Sequence, residues 1–170
     1  MSVVLSDDRQ QVLLLRREVF ILWDLHGGAI EQGEDPANAA VRETREESGY
    51  RIEIERPVGR YLCQSVYEAG DQLTYVFRAR VVGGKPKFYG LETTGLRWFP
   101  VNALPRSIEP LQRQMIEDAL ADLPEPVERR IDFARWKLYP ARVLFFVMRW
   151  RNIAARTVLE WWRGRKSRSR

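Results

Sequence analysis

Residues Gly28–Tyr50 constrain what this chain can fold into more than any other stretch. Asp35 is a good helix cap, Pro36 suits a first helical turn, and Gly49 fits the left-handed position just past a helix end. Between them Ala37, Ala40, Val41 and Thr44 recur at i, i+3, i+4 and i+7, the spacing of a buried stripe. Glu43, Glu46 and Glu47 fall at i, i+3 and i+4 on an adjacent face, where side chains are neighbours. Carboxylates that close repel one another unless something positive sits between them. A hard divalent cation with oxygen ligands, Mg²⁺ or Mn²⁺, answers that need. The run therefore predicts a helix that docks its small apolar stripe on a sheet and turns an acidic face into a cleft.

The same residues carry a resemblance. Gly28, Glu34, Arg42, Glu43, Glu46, Glu47 and Gly49 occupy the fixed positions of the pattern G-x5-E-x7-R-E-U-x-E-E-x-G-U, with U aliphatic, and this stretch resembles the signature of the Nudix hydrolases. Thr44 and Tyr50 stand where that signature is usually aliphatic, a change of packing rather than chemistry. His26 precedes the double glycine where similar proteins often have proline, which bears on the turn and on contacts to a base. A motif with this many fixed positions is far more specific than a lone glycine triplet.

The resemblance implies an activity and a division of labour. Enzymes of this kind cleave a nucleoside diphosphate linked to another moiety, giving a nucleoside monophosphate and a second phosphorylated product. A bound metal neutralises the diphosphate and activates water. By the resemblance, Glu43 and Glu47 are the principal metal ligands, Glu46 completes the set or acts as base, and Gly28 offers its backbone carbonyl. Arg42 belongs to the same constellation and is expected to orient Glu46 or Glu34. Glu34 is expected to buttress the loop from behind the ligands. Glu92, in Leu91–Gly95, is the distal candidate for the base, with a plain surface role left open beside it.

Other residues carry weaker signals. His26 is the sole histidine; it fits a nucleobase contact or an ordinary turn. Trp23, Tyr61, Tyr75 and Phe77 fit either an aromatic platform or a core. Cys63 is the sole cysteine, so no internal disulfide can form, and no base accompanies it to make a nucleophile.

Around the motif, apolar stretches at Val3–Leu5, Gln11–Leu15 and Phe20–Leu25 read as strands before the helix. Tyr50–Glu55, Val58–Tyr67, Gln72–Val82 and Leu96–Phe99 read as strands after it, and Ile108–Leu123 as a second helix. This order resembles the Nudix α/β/α sandwich with a mixed sheet. The expected organisation is a Nudix domain over residues 1–124 and a basic amphipathic helical extension over residues 125–170. There is no leader-like segment and no apolar run near the ~20 residues of a membrane span. With the single cysteine, these features lead to an expectation of a cytoplasmic protein.

Charge divides the chain the same way. Residues 135–170 hold eleven Lys or Arg against the single acid Glu160, a net of +10, whereas the whole chain carries +5, leaving −5 on residues 1–134. The basic balance thus describes the tail and says nothing of the acidic domain. Arg135, Arg142, Arg149, Arg156, Arg163 and Arg170 recur every seven residues, a spacing that forms one slowly drifting stripe on a helix. Aromatic and aliphatic residues such as Phe145, Phe146, Trp150, Trp161 and Trp162 surround it.

Three roles for the tail stay open. It can pack on its own domain or self-associate with a second subunit. It can lie on an anionic membrane surface, where each Lys or Arg contributes on the order of 1 kcal/mol. Nucleic-acid binding ranks third, because the aliphatic content is high for that role. The competing class for the whole chain is a silent nucleotide-binding sensor acting through the tail. The complete set Glu43, Glu46 and Glu47 argues instead for an enzyme acting on a nucleotide-type small molecule.

Overall fold

A seven-stranded sheet organises the molecule. The computed structural model describes residues 1–17, 23–64, 71–87, 93–121 and 123–131. Glu92 and the arginine-striped tail lie outside the described residues, as do residues 20–22 of the expected third strand. By contacts the chain divides into two units, Met1–Leu62 with Leu73–Ile131, and Cys63–Gln72 with Asp132–Arg170. Of the second unit only the strand ends at residues 63–64 and 71–72 are described; there the buried Cys63 thiol reaches the Gln72 carbonyl at 3.7 Å.

Strands β1 (Ser2–Ser6) and β2 (Gln11–Arg17) form an antiparallel pair with Leu5 opposite Leu13. The Asp7 carboxylate sets the turn by accepting from the Arg9 and Gln11 amides at 3.0 and 2.8 Å, the local bonding that makes Asp a turn residue. β3 (Trp23–Asp24) also pairs with β2. Helix α1 (Pro36–Ser48) follows, then β4 (Tyr50–Gln64), β5 (Asp71–Gly84), β6 (Thr93–Pro100), a 3-10 turn at Val101–Ala103, α2 (Pro110–Leu120) and β7 (Val127–Ile131). The sheet runs β3-β2-β1-β5-β4-β7, with β6 on β2. β6 takes one edge of β2 from Gln11 to Arg17, so β1 and β3 share the other. β1 and β5 are parallel, which makes the sheet mixed.

The two helices cover opposite faces. Along β1 successive side chains alternate: Val3 and Leu5 join α1's Ala39 and Ala40 in one buried cluster, while Val4 joins α2's Met115, Ile116 and Ala119 in the other. No helix among the described residues is long and apolar enough to cross a membrane.

Helix α1 starts and stops at the residues expected. The Asp35 side chain accepts from the Ala37 amide at 2.8 Å, and Gly49 takes φ 76° with its amide donating to the Arg45 carbonyl at 2.9 Å. Its buried stripe differs from the expected one. Ala39, Ala40, Thr44 and Ser48 are buried, whereas Val41 is 36% exposed. Ser48 tolerates burial because its hydroxyl donates to the Thr44 carbonyl at 2.6 Å, and small residues let the helix sit close to the sheet. The rotation also carries Glu43 and Glu47 inward.

β4 is one strand where two were expected. Ile52 and Ile54 face α1, while Val58 and Tyr61 both face α2. Val58 lies on the face opposite Ile54, four residues back, and on the same face as Tyr61, three residues on, so the alternation slips on each side of Val58, near Pro57, which has no N–H for the ladder, and near Gly59. This is the mark of a bulge rather than a break. β7 extends the sheet past residue 124 and is held from α2 by Asp118. That carboxylate is only 4% exposed. It accepts two guanidinium bonds from Arg129 and one from the Tyr61 hydroxyl, each 2.6 Å, and one from Gln114 at 3.2 Å. Arg56 donates to the carbonyls of Ala119, in the last turn of α2, and of Ala121 just past it, at 2.9 and 2.7 Å, placing a cation at the negative end of the helix.

Candidate active site

Four hydrogen bonds join the loop at residues 27–34 to α1, and a fifth, from Arg42 to Glu43, lies within the helix. The Gly27 amide donates to Glu47 Oε2 at 3.0 Å. Arg42 donates Nε and Nη2 to the two oxygens of Glu34, both at 2.9 Å, Nη2 to the Ala29 carbonyl at 3.2 Å, and Nη1 to Glu43 Oε1 at 3.0 Å. A planar guanidinium suits this task because it meets a carboxylate in a two-pronged, fixed geometry. Glu34 also accepts from the Glu31 amide at 3.0 Å. With Arg42 as the larger cause and the Glu31 amide second, the Glu34 carboxyl is pulled down to about 2. Glu34 is thus held ionised, and the loop is bound to the helix over the whole ordinary pH range.

Gly28 has a steric reason to be glycine. A Cβ there would sit 2.4 Å from the Glu43 carboxyl carbon. Without it, the Glu43 carboxylate closes directly on the Gly28 backbone. The Gly28 carbonyl accepts from the Met1 ammonium at 2.8 Å, so a cation stands at this carbonyl beside Glu43. Burial lowers the ammonium's proton affinity and the nearby Glu43 charge opposes that shift.

The expected site residues therefore fall into two groups. Gly28, Glu34, Arg42, Glu43 and Glu47 come together around the loop. Glu46 lies on the outer side, its side chain 62% exposed against 19% for Glu43, and approaches Arg42 at 3.8 Å. Glu92 lies outside the described residues. Among the described residues no three His, Cys, Asp or Glu side chains converge closely enough to hold a metal ion by themselves. The donor chemistry nonetheless fits a hard cation: a backbone carbonyl and carboxylate oxygens, in a cradle a Cβ would fill, with a positive group already at the carbonyl.

Trp23 and Tyr61 belong to the α2-side core, where Trp23 meets Phe99 edge-on at 4.7 Å between ring centroids. Tyr75 and Phe77 are partly buried on the α1 side. His26 is fully buried, and its carbonyl accepts from the Val3 amide at 2.7 Å, which fixes the strand leading into the loop. Sequence reasoning missed Met1 at the Gly28 carbonyl, since a terminal amine is not a motif position. It also missed β7, whose residues alternate with Arg129 turned inward.

A mixed sheet with a helix on each face and a carboxylate-lined glycine loop before α1 is the architecture of one enzyme class, and comparison with known proteins gives its family. The family model described as the NUDIX domain matches residues 1–119, and the chain belongs to that family as a pyrophosphohydrolase. It is 34% identical over 116 residues to a Bacillus subtilis (strain 168) protein named "Putative 8-oxo-dGTP diphosphatase", covering 68% of this chain and 75% of that one. It is 31% identical over 120 residues to an RNA pyrophosphohydrolase of Rhizobium meliloti (strain 1021), covering 59% of this chain and 71% of that one. The fold is similar to the crystal structure of a NUDIX hydrolase from Nitrosomonas europaea, with a TM-score of 0.62 at 24% identity, covering 78% of this chain and 79% of that one.

Proposed function

We propose that this protein is a metal-dependent hydrolase of a nucleotide-type substrate, a nucleoside diphosphate linked to another moiety. Water attacks one phosphorus, the bond to the bridging oxygen breaks, and a nucleoside monophosphate leaves with a second phosphorylated product. The observation that carries this reading is the Gly28–Glu43 contact, which sets a backbone without a side chain, its carbonyl already facing the Met1 ammonium, against a carboxylate on the helix that also bears Glu47. The Gly28 carbonyl, Glu43 and Glu47, with Glu46 completing the set or acting as base, would hold a divalent ion, Mg²⁺ or Mn²⁺, which would supply charge neutralisation and an acidified water.

The chain's own residues do the rest. Arg42 orients Glu43 and, through Glu34, holds the loop that presents the Gly28 carbonyl. Glu47 fixes the loop's first amide. Glu46, the most exposed of the acids on this face, has the solvent access that a base needs, and Glu92 is the second candidate for that task. The relatives' names, an 8-oxo-dGTP diphosphatase and an RNA pyrophosphohydrolase, favour substrates with a nucleoside next to the scissile diphosphate.

The test is a panel of such compounds, with Mg²⁺, Mn²⁺ or EDTA, in which released phosphate and nucleoside monophosphate are measured. Cleavage of one class that EDTA abolishes supports the reading. Cleavage that persists in EDTA, or none across the panel, overturns it.

A further inference from the structure

Residues 85–87, just past β5, are clasped to the end of α1. The Lys87 amide donates to the Ser48 carbonyl at 2.7 Å. Two glycines in the left-handed region make this contact possible. A Cβ on Gly49 (φ 76°) would meet the Lys85 carbonyl oxygen at 2.4 Å, and one on Gly84 (φ 91°) would meet the Gly49 oxygen at 2.4 Å. Gly49 therefore does more than end the helix, because only glycine lets the segment after β5 lie this close to it. The Lys87 backbone is fixed as a result, beside the last turn of the helix that carries Glu43, Glu46 and Glu47.

The Lys87 side chain is held far less firmly. Its ammonium donates to the Glu46 carbonyl at 3.5 Å, the outer limit of a hydrogen bond. Lys87 is exposed and has no carboxylate partner among the described residues. A lysine at the end of a helix ordinarily answers the partial negative charge of the last carbonyls. Here one long contact occupies one of three donors, and a flexible four-carbon stem lets the ammonium swing. Glu46 ties this amine to the Gly28 site. The Glu46 carboxylate approaches Arg42 at 3.8 Å, and the next residue, Glu47, accepts from the Gly27 amide.

Charge balance gives that amine a task. Glu34, Glu43, Glu46 and Glu47 bring four carboxylates to the site. Every guanidinium nitrogen of Arg42 is already engaged, by Glu34, Glu43 and the Ala29 carbonyl, and the Met1 ammonium faces the Gly28 carbonyl. Arg42, Met1 and one divalent ion together would offset those acids and leave the charge of a bound diphosphate unmatched. Arg45 is turned the wrong way to match it, since it is two residues from both Glu43 and Glu47 and so lies on the far side of the helix. Arg51 packs over Gly83. Lys87 is the cation that meets the helix at one of the acids.

We propose that Lys87 is a substrate contact: its ammonium leaves the Glu46 carbonyl and binds a non-bridging oxygen of the scissile diphosphate. The proposal rests on the pyrophosphohydrolase reading of the Gly28 site and adds to it a residue outside the signature. Bound there, the ammonium also meets the charge that builds on the leaving phosphate as the bridging bond breaks.

The experiment titrates methylene diphosphonate, whose P–C–P bridge water cannot cleave, into the full chain with Mg²⁺ by calorimetry, in the wild type and in Lys87→Met, Lys87→Arg and Lys85→Met. Methionine keeps the stem and the backbone bond to Ser48 and removes the charge. Losing a charge-assisted contact corresponds to about tenfold in affinity. Lys87→Met is therefore expected to weaken binding about tenfold, and to lower kcat/KM at least as much for a nucleotide that the protein cleaves. Lys87→Arg should bring both back toward wild type. Lys85→Met, which removes an equal charge two residues away, should leave both unchanged. A role confined to the helix end would shift the urea midpoint of Lys87→Met and leave binding as it was. That result, an equal loss of binding in Lys85→Met, or no binding by the wild type overturns the proposal. If no nucleotide is cleaved, the pyrophosphohydrolase reading fails, while Lys87-dependent binding of the diphosphonate still supports the phosphate contact.

Discussion

Arg42 and Glu34 are joined by two parallel hydrogen bonds, Nε to Oε1 and Nη2 to Oε2, both 2.9 Å long. The pair spans from α1 to the end of the glycine loop, and the third guanidinium nitrogen reaches Glu43. Lysine at this position keeps the charge and loses the fork. Arg42→Lys is therefore expected to lower kcat about 10- to 100-fold, the usual cost of removing a partner that orients a ligand, with the fold retained by circular dichroism. A kcat within twofold of wild type would remove Arg42 from the positioning set.

The same fork sets a pH dependence. The Glu34 carboxyl goes from an ordinary 4.5 to about 2, through Arg42 first and the Glu31 amide second. A depressed carboxyl stabilises the fold above its unfolded value and loses that contribution as pH falls through its folded one. The stability difference between wild type and Glu34→Gln in urea unfolding is thus expected to stay constant from pH 8 to about 5 and to close between about 4.5 and 2. A gap that changes between pH 6 and 8 would mean that another group carries it.

Gly28→Ala isolates the close approach at the site. The new Cβ falls 2.4 Å from the Glu43 carboxyl carbon and must push the side chain away from the loop carbonyl. Loss of at least about 100-fold in kcat/KM is expected, in line with the sensitivity of sites to ångström-scale misplacement. The melting temperature should change little, because the displaced group borders solvent. Activity near wild type would show that Glu43 works equally well away from Gly28.

Glu47→Gln keeps an acceptor for the Gly27 amide, which Glu47 Oε2 meets at 3.0 Å, and removes the charge. Turnover is expected to fall to background while nucleotide binding survives, as measured by phosphate release and by equilibrium titration. Unchanged turnover would sink the assignment of Glu47 to the metal set.

Much of this fold was legible because its signals are local. Asp35-Pro36 and Gly49 mark the ends of α1, and the apolar stretches at Val3–Leu5 and Gln11–Leu15 fall within β1 and β2. What sequence hid depends on partners distant along the chain. Val41 gives way to Ala39 in the buried stripe because the helix is rotated to bring Glu43 and Glu47 to the loop. β7 reads as a polar segment because its inward Arg129 becomes compatible with burial only once Asp118 of α2 is opposite. The encounter of Met1 with Gly28 needs the antiparallel bridge of Val3 with His26, whose register sets residue 1 opposite residue 28, and no residue pattern near either position announces it.

Asp118 gives the last prediction, which concerns where the catalytic fold ends. Burial alone would raise its carboxyl, but the bonds from Arg129 and Tyr61 outweigh that and bring it below its ordinary value. Its contribution is therefore present above pH about 4 and lost as pH falls further. Removing the guanidinium leaves a buried carboxylate with only Tyr61 and Gln114. Because Arg129 is itself 39% exposed, Arg129→Ala is expected to cost about 2–3 kcal/mol, below the 3–5 of a fully buried broken pair, as read by urea unfolding at pH 7. The same reasoning separates two truncations. Ending the chain after Glu125 removes β7 and should destabilise the domain at least as much as Arg129→Ala. Ending it after Ile131 keeps the Asp118 contacts and should leave domain stability close to wild type. Equal stability of the two truncated chains would show that β7 is not part of the cooperative fold.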